Sequence, residues 1–65
     1  MWFAVVIDDK PVKYFSYLKC AFNLAKKETL KNKKKVFIYD KNNNLVGYTR
    51  CKRNGFCIYW SVKNV

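Results

Sequence analysis

The side chains with most to offer chemically lie between Val36 and Val62, in VFIYDKNNNLVGYTRCKRNGFCIYWSV. There Phe37, Tyr39, Tyr48 and Tyr59 are interleaved with Arg50, Lys52 and Lys63. Flat rings stack on unpaired bases, at ~1–3 kcal/mol each, while cations neutralise phosphates, so the mixture suits single-stranded nucleic acid. Tyr, Phe and Arg are also enriched where proteins meet proteins. Rings opposed across two strands stabilise a sheet in their own right, by ~0.2–1 kcal/mol per pair. A second group, Lys26, Lys27, Lys33, Lys34 and Lys35, crowds the end of a helical stretch and the loop after it. One or two cations suffice to complement a helix dipole. The surplus points to phosphate contacts and a salt-dependent affinity.

Catalysis finds little support. The chain has no His, no Gly-rich phosphate loop and no nucleophile with a recognisable base. Asp8 and Asp9 are neighbours in a turn, which does not make them an acid/base pair, and Glu28 sits among lysines. Cys20, Cys51 and Cys57 include no CxxC pair and match no common zinc spacing, so neither a metal nor any other cofactor is expected. They read as free thiols of a reducing compartment, with Cys51 and Cys57 expected on opposite sheet faces. The apolar run WFAVVI is too short for a signal peptide, and no span approaches the ~20 apolar residues of a membrane helix. The expected location is the cytoplasm.

Several elements must position these groups. Asn54-Gly55 is the strongest turn signal, because a two-residue type I′ turn needs positive φ at both central positions. It pairs Cys51 with Ile58, Arg50 with Tyr59 and Thr49 with Trp60. Alternation along the strands then puts Leu45, Thr49, Cys51, Ile58 and Trp60 on a core side. Val46, Tyr48, Arg50, Lys52, Tyr59 and Lys63 fall on the other. Asn-rich residues 41–44 predict a four-residue loop after a strand at 35–40, with Phe37 opposite Tyr48 and Val36 and Ile38 facing the core. A one-residue slip would reverse these faces.

Upstream, Trp2 to Ile7 reads as a strand apolar on both faces. Val12 to Phe15 is either a short second strand or the approach to a helix. Ser16 is a candidate N-cap. Beyond it Leu18, Ala21, Phe22, Ala25 and Thr29, flanked by Tyr17 and Leu24, recur at helical spacing over residues 17–31. The expectation is a single α+β domain over 1–65: an antiparallel sheet of three to four strands, order β-α-β-β-β, with one helix on one face. One helix covers one face, and the aromatic face stays open.

At 65 residues the chain buries only ~60% of the surface its unfolded form exposes, which leaves little room for an enclosed cleft. Fourteen Lys+Arg against four Asp+Glu give a net charge of +10, which points to polyanions or an acidic protein surface as partners. In its shortness, Lys and Asn content and element order the chain resembles the small early proteins of AT-rich bacteriophages. That resemblance implies an inhibitor or adaptor that redirects a host enzyme, such as RNA polymerase, a nuclease or a defence complex, in the host cytoplasm; it carries no site residues. The residues themselves lead to a non-catalytic basic protein contacting DNA or RNA. Phe37, Tyr39, Tyr48 and Tyr59 would stack, and the arginine and lysines named above would meet phosphate. The same face also suits a symmetric homodimer.

Overall fold

The computed structural model describes residues 2–51 and the backbone of residues 57–61. Five strands and one helix follow in the order β1 (Phe3–Ile7), β2 (Lys10–Phe15), α1 (Leu18–Asn32), β3 (Val36–Asp40), β4 (Leu45–Cys51) and β5 (Cys57–Ser61). They form one antiparallel sheet, β2-β1-β3-β4-β5, with α1 lying against one face. The α+β class and the single covering helix are as expected; the order is β-β-α-β-β-β, because residues 10–15 make a strand.

That strand has a local cause. Asp8 and Asp9 take φ values of 53° and 64°, and Ile7 pairs directly with Lys10. Two successive positive φ angles between paired residues are what a two-residue I′ hairpin requires, and Asp is among the few residues that enter that region readily. Asp8 also pairs with Lys34 of the α1–β3 loop, an exposed contact worth ~1 kcal/mol at most. The register shifts between Val5 and Val6, which face Lys13 and Pro11; the extra residue, Val12, is exposed.

The core lies between α1 and the middle strands. Val5, Val36 and Ile38 from the sheet meet Ala21 and Ala25 from the helix, all five fully buried. The two alanines carry no bulk beyond Cβ, so the helix backbone comes close to β3 and β4. Thr29 and Thr49 seal the same seam. Thr49 Oγ1 donates to the Ala25 carbonyl at 3.2 Å, and a hydroxyl has one hydrogen. The 2.6 Å contact between the two hydroxyls is therefore donated by Thr29. Both polar groups are satisfied in a place where an unpaired one costs ~1–3 kcal/mol.

The helix begins one residue later than Ser16 would set it. Tyr17 is the N-cap and has no side-chain oxygen within reach of the first turn, which also lacks an acidic residue. It does not flank the apolar stripe either, being 72% exposed. At the other end Lys33 turns left-handed, φ 56°, and its N–H closes on Thr29 O at 2.9 Å. Tyr17→Asp is expected to raise stability by about 1 kcal/mol, through a capped amide and a charge at the positive end of the dipole. In a domain of this size that is roughly 4–8 °C in Tm by calorimetry. An unchanged Tm would mean that the first turn is already satisfied by water.

Candidate aromatic binding face

The face away from α1 is built by strand alternation from Ala4 and Val6 of β1, Phe37 and Tyr39 of β3, and Tyr48 and Arg50 of β4. Phe37 stands opposite Tyr48, as the Asn loop predicts, with ring centroids 6.4 Å apart at 45°. Tyr39 lies at the same 6.4 Å from Phe37 on its other side. Asp40 fixes the loop between β3 and β4: its Oδ1 accepts from the N–H groups of Asn42 and Asn44, both at 2.9 Å, while Asn43 takes φ 63°. Lys35 Nζ sits 4.9 Å from the Tyr48 centroid and 5.2 Å from that of Phe37, a cation shared by two ring faces. Arg50, exposed, follows two residues beyond Tyr48 on the same side.

Two assignments are corrected in β4. The register shifts between Ile38 and Tyr39, so Leu45 pairs with Tyr39 on the open face, while Val46 packs against the core. The bulge carries the extra residue. The β4–β5 ladder is also one residue off the predicted pairing: Cys51 faces Cys57, Arg50 faces Ile58, Thr49 faces Tyr59 and Tyr48 faces Trp60. An odd number of residues separates Cys51 from Cys57, whereas a two-residue turn requires an even number. The slip exchanges the two sides of β5. Tyr59 therefore takes the register position opposite Thr49 and not the one opposite Arg50. Cys51 and Cys57 share a register position and are not on opposite faces. Cys51 itself is a free thiol donating to Thr29 O at 3.4 Å, and Cys20 is free and exposed. The Asn54-Gly55 turn, Lys52 and Lys63 lie outside the described residues.

The lysine group is divided. Lys35 reaches the aromatic face, Lys34 is engaged by Asp8, and Lys33 forms the helix C-cap. Lys26 and Lys27 are exposed on α1, the layer on the other side of the sheet. One extended ligand lying on the rings meets Lys35 and Arg50 but not Lys26 and Lys27.

Sequence reasoning missed Trp2 and Tyr14. Their rings meet edge to face, 5.1 Å apart at 83°, and extend the open face onto β2. The signal was the pair Asp8-Asp9 read as a hairpin turn; the bulge at Val12 then sets Tyr14 opposite Ala4. Between these rings and Tyr39 runs a groove of about 360 Å³, floored by Ala4 and Val6, with Asp9 and Asp40 among its lining residues. Among the described residues no group of three or more His, Cys, Asp or Glu could hold a metal, and no helix is long and apolar enough to cross a membrane. Comparison of the chain with family models, curated proteins and solved structures gave no match in any of the three.

Proposed function

We propose that this chain is a non-catalytic, basic binding protein that takes single-stranded nucleic acid on its open sheet face. The observation that carries this reading is the row Tyr39, Phe37, Tyr48, with the Lys35 ammonium beside Phe37 and Tyr48. Bases laid on Phe37 and Tyr48 gain stacking, and Lys35 and Arg50 stand where the backbone charge passes. The supporting test is titration of a labelled single-stranded oligonucleotide at several salt concentrations, beside a duplex of equal length. Preference for the single strand is expected, with log K falling against log salt by ~0.7 for each phosphate neutralised. A preference for duplex, or binding lost by physiological salt, overturns the reading.

A second reading is favoured by one observation: Lys26 and Lys27 present charge on the helix layer, away from the rings. Charge on two sides suits an adaptor or inhibitor of the phage type that covers an acidic host protein. It predicts capture of that protein after nuclease treatment, lost in a Lys26→Glu/Lys27→Glu variant. Sedimentation mass separates both readings from a homodimer closed over Phe37 and Tyr48.

A further inference from the structure

The groove beside the aromatic row has an excess of acid in its lining, two carboxylates against one ammonium, in a strongly basic protein. The protein has a net charge of +10 and four acidic residues. Glu28 is held by Asn32 and Asp8 by Lys34. The other two, Asp9 and Asp40, line the groove, with Lys41 the one cationic side chain in the lining. Asp9 has no hydrogen-bond or ion-pair partner for its carboxylate among the described residues. Asp40 spends Oδ1 on its own loop, which leaves Oδ2.

The ladder places the two carboxylates at opposite ends. Asp40 pairs with Phe3 at one end of β1, while Asp9 adjoins Lys10, which pairs with Ile7 at the other. Four steps along a strand separate those levels, about 13 Å at ~3.3 Å per residue. Between them the walls are Trp2, Tyr14 and Tyr39 over a floor of Ala4 and Val6. The volume, about 360 Å³, is near the lower bound of ~300–1,000 Å³ for small-molecule sites.

Carboxylates at both ends of an aromatic trough complement a linear molecule with cations at its ends and methylenes between. Ring faces attract ammonium groups and cover alkyl chain alike. We propose that this groove binds a linear polyamine, its terminal ammonium groups at Asp9 and Asp40 and its chain along Tyr14 and Tyr39. An extended spermidine is of the right order of length. The groove adjoins the row proposed to take nucleic acid and shares Tyr39 with it, and its occupant would offset the acidic groups beside a bound strand.

The test needs no nucleic acid, so its failure is distinct from failure of the nucleic-acid reading. Spermidine is titrated into the ¹⁵N-labelled protein, and the amide signals of Ala4, Val6 and Asn43 are followed. Saturable shifts are expected with spermidine, weaker ones with butylamine and none with 1,8-octanediol. Asp9→Asn and Asp40→Asn remove one charge each, and the side-chain carbonyl introduced by Asp40→Asn retains the Oδ1 acceptor that the loop needs. Each is expected to weaken binding roughly two- to fivefold, as for exposed ion pairs. Absence of saturation, equal shifts with the diol, or an unchanged affinity in the double variant overturns the proposal. So does tighter occupation of the same amides by a nucleoside, which would make the groove a base slot.

Discussion

Ile38→Ala is expected to destabilise the protein by about 2–5 kcal/mol, the range for truncating a fully buried branched residue. Ile38 is wholly excluded from solvent on the central strand β3. It pairs with Val5 on one side and Gly47 on the other. Gly47 has no side chain to move into the space, and the helix above presents Ala21 and Ala25, which cannot extend either. The cavity therefore stays open, which puts the cost toward the upper part of the range. A chain of this length has about 3–10 kcal/mol in total, at 0.05–0.15 kcal/mol per residue. Equilibrium urea denaturation should show Ile38→Ala largely unfolded or with a much lower midpoint, while Ile38→Val loses only ~0.5–1.5 kcal/mol. An alanine variant with the parent midpoint would mean that α1 does not close on this face.

What could be read in the sequence depended on how local the determinant was. The helix stripe was legible because Leu18, Ala21, Phe22, Ala25 and Thr29 mix three- and four-residue steps, which a helix brings to one face and a strand does not; Ala21, Ala25 and Thr29 are buried. The pairing of Phe37 with Tyr48 agrees with the four-residue-loop reading only because two offsets cancel: beside the loop Tyr39 faces Leu45, one residue off that reading, and the bulge between Ile38 and Tyr39 restores the register. Register was not legible. Bulges at Val5/Val6 and Ile38/Tyr39 insert one residue each, and nothing in KPVKYF or NLVG announces them. A single inserted residue sends every later side chain to the other face. Tyr14 entered the open face for that reason. Asp8-Asp9 shows a further limit: Asp favours positive φ less strongly than Gly, so a real I′ turn made of two aspartates looks like an ordinary strand end. The rings of β3 and β4 stand on the open face, and the lysines are divided between two layers.

Removing the rings one at a time separates stacking from charge. Phe37→Ala and Tyr48→Ala should each weaken single-strand binding by ~1–3 kcal/mol, roughly 5- to 150-fold in Kd. Both side chains lie on the face away from the core cluster, so the fold should survive with a loss of about 0.5–1.5 kcal/mol from the broken ring pair. The double variant should lose less than the sum, because rings 6.4 Å apart share a base and a common cation. Lys35→Gln makes the complementary change. It keeps the alkyl stem over Phe37 and Tyr48 and removes one cation, so the salt slope should fall by ~0.7 with only a modest loss at low salt. The ring variants should leave that slope where it was. Fluorescence anisotropy at three salt concentrations measures both quantities for every variant. Should the ring variants bind as the parent does while Lys35→Gln does not, the rings serve the sheet alone and the nucleic acid is held by charge.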